Sequence, residues 1–120
     1  MSRGRDAEAR AGAVFDALAD ATRRQVLRGV AERGPVTATE LAAALPITRQ
    51  AVAKHLGVLR DAGLVAPERV GRETRFQATP APLTEAAQWL TATGAAWDQR
   101  LDRLAAHAHE RRATANRGTR

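Results

Sequence analysis

Residues Thr37 to Gly63 read TATELAAALPITRQAVAKHLGVLRDAG, and the punctuation is that of two short helices joined by a tight connection. Thr37 and Glu40 have the spacing of a capping box, in which the hydroxyl accepts from the third backbone N–H and the carboxylate reaches back. Leu41 and Leu45 then fall on one face, four residues apart. Pro46 ends this helix, because the residue before a proline is pushed out of helical geometry. Thr48 is the natural N-cap of the second helix, with Ile47 and Val52 placed as a hydrophobic staple across it. Gly63 supplies the left-handed residue that stops it.

The second helix has two unlike faces. At about 100° per residue, Val52, Leu56 and Leu59 share a stripe that packs on the first helix. Gln50, Ala53, Lys54 and Gly57 cluster on the far side, where the small residues permit close approach to a grooved partner. A polar, lysine-bearing face at the start of the second of two crossed helices fits a DNA recognition helix. The same residues also describe the solvated face of an ordinary helical hairpin, so the flanks decide.

Downstream of Gly63 the pattern becomes extended. Residues 64–70 (LVAPERV) and 74–78 (TRFQA) flank Gly71-Arg72-Glu73, a hairpin signal with a glycine-containing loop. Pro67 places its strand on an edge. Arg69, Arg72 and Arg75 put basic side chains along the ribbon and at its tip. A basic hairpin directly after a recognition-type helix is a wing, suited to grip a nucleic-acid backbone. Basic residues also protect an edge strand from aggregation, but helix pair and hairpin in this order are more specific than either alone.

Upstream, Ala11, Val14, Phe15 and Leu18 repeat at three- and four-residue spacing, giving a first amphipathic helix from about Ala7 to Ala19. Asp20 caps a second, running to Arg33 with Val26, Leu27 and Val30 inward and Arg23, Arg24 and Arg28 outward. Gly34-Pro35 stops it. After Pro80 to Pro82, Leu83, Ala87, Leu90, Gly94, Trp97, Leu101, Leu104 and Ala108 follow alternating four- and three-residue steps, an a/d-like stripe. Gly94 marks a kink or close crossing within it. This stripe has more apolar surface than a small winged domain covers, and a second copy of the chain is the natural partner, together with the Val14/Phe15/Leu18 helix.

The chain of 120 residues is one domain by length. Residues 1–6 are polar and expected to be disordered, 7–110 form the domain, and 111–120 form a basic disordered tail. Net charge is +6 and the isoelectric point about 11.5, a footprint for a polyanion. Lys54 is the only lysine, a bias that a G+C-rich coding genome also produces. There is no cysteine, which excludes disulfides and thiolate metal sites. No apolar run approaches the ~18 residues of a membrane span, and the N-terminus lacks a signal-peptide core. The expectation is a cytoplasmic protein without membrane partner or cofactor. With no glycine-rich phosphate loop and no paired-carboxylate cleft, an enzyme is not expected.

Phe15 to Arg24 (FDALADATRR), Glu40-Leu41-Ala42, and Gln50 to Val65 (QAVAKHLGVLRDAGLV) together resemble the ArsR (arsenic-repressor) family of bacterial winged-helix repressors. The likeness covers about residues 11 to 110. It implies a mainly α fold with a small β-hairpin, a winged helix-turn-helix dimerised through first and last helices. It also implies a repressor binding an imperfect palindrome in double-stranded DNA. The chain departs from the family in its sensor. Metal-sensing members carry cysteines on the helix matching Thr37–Leu45, and a second family site uses Asp and His on the last helix. Here Asp102, His107, His109 and Glu110 are present, but the two histidines lie two apart and face different ways, so no metal site is assigned. Residues 97–104 (WDQRLDRL) resemble the branch without known metal ligands.

The residues expected at DNA are therefore Thr48, Arg49, Gln50, Ala53, Lys54, His55, Arg69, Arg72 and Arg75. Those expected in the dimer seam are Val14, Phe15, Leu18, Leu90, Trp97, Leu101 and Leu104. His55 borders the buried stripe and reads as a packing or phosphate-contacting residue. A winged-helix protein-interaction module without DNA binding is the competing class, since this fold hosts both. No small-molecule effector is legible.

Overall fold

The computed structural model describes residues 3–118, with side chains for 4–107 and for 110. The order is α1 (Arg3–Leu18), α2 (Ala21–Arg33), β1 (Val36–Thr37), α3 (Ala38–Ala44), α4 (Arg49–Asp61), β2 (Val65–Val70), β3 (Glu73–Ala78) and α5 (Ala81–Gly118). The fold is mainly helical with a small antiparallel sheet, ordered β1-β3-β2, the winged helix-turn-helix expected from the sequence. No helix among the described residues is long and apolar enough to cross a membrane.

The helix boundaries follow their capping chemistry. Asp20 caps α2 through a hydrogen bond from the Arg23 backbone N–H. Thr37 and Glu40 form both halves of the capping box on α3. Thr48 caps α4 by accepting from the Ala51 N–H at 3.1 Å. At the far end of α4, Gly63 N–H donates to the Arg60 carbonyl and Leu64 N–H to the Leu59 carbonyl. That paired arrangement is a Schellman motif, and Gly63 has the positive φ of 77° it requires. Leu59 and Leu64 are both fully buried beside it. The chain thus leaves α4 with its last carbonyls satisfied and turns directly into β2.

Residue pairs from Val65↔Ala78 to Val70↔Glu73 leave a two-residue loop, Gly71-Arg72. Gly71 alone takes a positive φ, which matches the hairpin turn that needs glycine at its first central position. Pro67 lies on β2, an edge strand as its missing N–H demands. The core beneath is built from Val26 and Val30 of α2, Leu41 of α3, and Val52, Leu56 and Leu59 of α4, all at 1% exposure or less.

Several expectations are corrected. α1 begins at Arg3, inside the stretch expected to be disordered, with Asp6 in a first turn where negative charge is favourable. α5 continues to Gly118, through most of the expected tail. Residues 111–118 are rich in arginine and alanine, and extending an existing helix avoids the cost of nucleation. Residues 1, 2, 119 and 120 of these two expectations lie outside the described residues. β1 was not anticipated. Within the single chain, nothing among the described residues lies within 4 Å of a Cβ built at Gly94. Gly34 ends α2 without a left-handed conformation, its φ being −66°. A Cβ there would meet the Val30 carbonyl at 2.6 Å and the Phe76 carbonyl at 3.1 Å, so glycine is demanded by space.

By internal contacts the chain divides into Met1–Ala87, which holds the helix-turn-helix and wing, and Gln88–Arg120, which is the greater part of α5.

Candidate nucleic-acid interface

The start of α4 is fixed by the Thr48 cap and by burial of Val52, Leu56 and Leu59. This leaves Gln50, Ala53 and Lys54 exposed. Gly57 continues the outer face, with no atom within 4 Å of a Cβ built on it. Gln50 and Lys54 have no hydrogen bond or ion pair among the described residues, so their polar atoms are available to a partner.

Arg49 lies at the flank of that face. Its Nε donates to Thr39 Oγ1 at 2.9 Å, tying α4 to α3. His55 is half-buried, and its Nδ1 is buried without a hydrogen-bond partner. That side of the ring borders the packing stripe.

In the wing, Arg72 sits at the tip, exposed and without a partner among the described residues. Arg69 folds back so that its Nε donates to the Gly71 carbonyl at 3.3 Å. Arg75 is the least exposed wing arginine for which a partner is seen, at 29%. Its guanidinium makes ion pairs with Glu40 at 3.1 Å and Glu73 at 2.8 Å, and donates to the Pro35 carbonyl at 3.3 Å. Hydrogen bonding from the Thr37 side chain, then from its backbone, holds the Glu40 carboxyl below the usual carboxylate range, and Arg75 adds to the same direction.

Between α3, the start of α4 and the wing lies an open cleft of about 680 Å³. Arg49, Arg69, Arg72 and Arg75 line it, against Glu40 and Glu73. The arginines outnumber the carboxylates, and the unpaired charge is concentrated at the tip. A phosphate-sized anion fits such a cleft, with Thr39 and Thr74 offering hydroxyls beside the charge.

Arg23 and Arg24, read above as outward-facing, have partners in the preceding helix. Arg23 Nη1 donates to the Ala17 carbonyl and Arg24 Nη1 to the Leu18 carbonyl. They close the C-terminus of α1 while Asp20 opens α2. The Leu-Ala-Asp-x-Thr-Arg-Arg motif is thus a corner between two helices. Sequence reading missed this because the receiving carbonyls belong to the preceding helix.

Of the residues expected in a dimer seam, Val14 is 2% exposed. It is spent in the core of a single chain and is removed from the seam. Phe15 and Leu18 are half-buried. On α5, Leu90, Trp97, Leu101 and Leu104 are exposed by 53 to 61%, with the Arg100 guanidinium 5.1 Å from the Trp97 ring centre.

The family's metal chemistry does not fit these residues. The chain has no cysteine, and no group of three or more His, Asp or Glu side chains among the described residues could hold an ion. The side chain of His109 lies outside the described residues.

Fold and surface together define a winged helix-turn-helix transcriptional regulator. A helix-turn-helix domain family matches residues 18–68. The chain is 50% identical to the uncharacterized HTH-type transcriptional regulator YuzN of Bacillus subtilis, over 50% of this chain and 72% of that one. It is 27% identical to the transcriptional repressor SdpR of the same organism, over 64% of this chain and 84% of that one. An ArsR-like transcriptional regulator from Rhodococcus sp. RHA1 superposes with a TM-score of 0.75 at 42% identity, covering 81% of this chain and 91% of that one. The chain belongs to the ArsR family.

Proposed function

We propose that this regulator is a homodimeric repressor that binds an imperfect palindromic operator in double-stranded DNA. In this reading α4 lies in the major groove, Gln50 and Lys54 address base edges, and Ala53 and Gly57 let the helix approach closely. Thr48, Arg49, Arg69 and above all Arg72 face phosphates along the flanking backbone. The observation that carries the reading is the adjacency of an unpartnered polar face on α4 to an arginine-lined cleft ending at the wing tip. The apolar stripe on α5, with Phe15 and Leu18, forms the seam between copies. Repression is the mode supported by the likeness to SdpR.

The test is a binding titration with the duplex upstream of the protein's own gene and a scrambled duplex, each at several salt concentrations. The specific duplex binds roughly a thousandfold or more tighter than the scrambled one. The protected half-sites lie about 10 base pairs apart or a multiple of that. Equal affinity for both duplexes would remove the sequence-specific reading, and no binding to either would favour the protein-interaction module. Because the chain has no cysteine and the two histidines of α5 lie two apart, binding is expected to be unchanged by micromolar zinc, copper or arsenite. Release of operator by a stoichiometric amount of such an ion, reversed by chelator, would overturn that expectation.

A further inference from the structure

We propose that Arg75 is a positioning residue, which with Glu40 clamps the wing onto the helix-turn-helix and does not itself bind DNA. The strand register makes this possible. β1 is only two residues long, and Thr37 stands opposite Arg75 across the β1–β3 pair. Thr37 is also the N-cap of α3, and its partner in the capping box is Glu40. One carboxylate therefore accepts from the Thr37 backbone N–H at 3.3 Å and meets Arg75 Nη1 at 3.1 Å. The same Nη1 reaches the Pro35 carbonyl at 3.3 Å, and Nη2 holds Glu73 at 2.8 Å. Arg75 thereby joins the strand preceding α3, the first turn of α3 and the base of the wing tip.

The consequence follows from where this bridge sits. The wing meets the helix-turn-helix through two β1–β3 residue pairs, Val36↔Phe76 and Thr37↔Arg75, and through packing of β3 on α2 and α3 and of β2 on α4. The Arg75 bridge adds to this packing a charged tie between the hairpin and the first turn of α3. With the bridge in place, Arg72 at the tip and Gln50 on α4 are presented to one duplex as a unit, so that binding at one lowers the entropic cost at the other. Three acceptors already occupy the Arg75 guanidinium, which leaves Arg72 as the arginine to meet phosphate.

Glu40→Gln separates this role from direct contact. Glutamine can still accept from the Thr37 N–H, so the cap on α3 survives, while the charge that holds Arg75 is gone. The consequence for DNA rests on the DNA-binding reading above, whereas the consequence for the wing does not. Hydrogen exchange of the free protein, read by mass spectrometry over residues 35–37 and 74–77, is expected to quicken about two- to fivefold, the scale of an exposed ion pair. Unchanged exchange overturns the proposal whether or not the protein binds DNA. On the operator, Glu40→Gln is expected to weaken binding by a similar two- to fivefold, although it removes a negative charge beside the DNA. The loss from Arg72→Ala should shrink in that background. Tighter binding by Glu40→Gln, or an undiminished Arg72→Ala effect, overturns the clamp and returns Arg75 to the list of direct contacts. If exchange quickens in a protein that binds no DNA, the clamp stands and the repressor reading falls.

Discussion

Gln50 and Arg72 are both exposed and unpartnered among the described residues, but their frames differ. Gln50 stands in the first turn of a capped helix, and its amide offers the donor and acceptor that pair with adenine. Arg72 stands at the tip of a two-residue turn, with charge and reach but no rigid frame. Gln50→Ala is therefore expected to cost about 1–3 kcal/mol on the operator and far less on scrambled DNA. Arg72→Ala should weaken both duplexes alike and lower the salt slope by about one per half-site. Titrations of the two variants on both duplexes decide it, and equal loss on both for Gln50→Ala would sink the base-reading role. A second residue-scale effect comes from the caps. Hydrogen bonding from the Arg23 backbone lowers the Asp20 pKa, and Thr37 lowers that of Glu40. A carboxyl depressed by folding contributes stability that is present above its unfolded pKa and is lost as pH falls through the folded one. The thermal midpoint should thus hold level down to the ordinary carboxylate range and fall below it, with a shallower fall in Asp20→Asn and Glu40→Gln. An unchanged acid slope in both variants would show that other groups govern acid stability.

At the scale of elements, what was legible is what carries its own start and stop. Thr37, Thr48 and Gly63 act where their chemistry requires, and Val26, Val30, Val52, Leu56 and Leu59 are buried as their spacing demands. The missing pieces depend on partners distant in sequence. β1 has two residues, too few to show a period, and exists because Val36 and Thr37 meet Phe76 and Arg75. Val14 shares the helical spacing of Phe15 and Leu18, and only packing assigns it to the core. Three wing arginines look alike in sequence, yet Arg69 and Arg75 have partners and Arg72 does not. Gly34 was read as a helix stop, but its reason is space: the Val30 carbonyl of α2 and, farther off, the Phe76 carbonyl of β3 stand where a Cβ would go. Both atoms that would meet a Cβ are backbone oxygens, which cannot rotate aside. Gly34→Ala is expected to destabilise the fold by about 1–3 kcal/mol, the scale of overpacking. Gly12→Ala, inside α1 with open space around it, should instead stabilise by up to about 1 kcal/mol. Urea denaturation of the two variants measures both, and a neutral Gly34→Ala would mean that the end of α2 and β3 can both give way.

For the whole molecule the unresolved surface is the stripe on α5. Leu90, Trp97 and Leu104 recur every seven residues with Leu101 between, the a/d spacing that faces a partner helix. Each retains over half of its exposure. Burying the remainder is worth on the order of 1 kcal/mol per side chain, about half of the ~1.5–3 kcal/mol for complete burial. Four such side chains from each of two copies supply several kcal/mol against the cost of association. On the proposed dimer reading that balance leaves at most a modest margin, and one central residue should decide it. Trp97→Glu places a charge at the middle of the seam, where pairing would strip it of water. Light scattering coupled to size exclusion is expected to give a dimer for the unmodified protein and a monomer for Trp97→Glu. Circular dichroism should show the helix-turn-helix retained, because its core of Val52, Leu56 and Leu59 does not include Trp97. On DNA the variant should lose the advantage of a second half-site and bind full and half operators alike. A monomeric unmodified protein would remove the two-half-site mechanism. A dimeric Trp97→Glu would place the seam on another face of the chain.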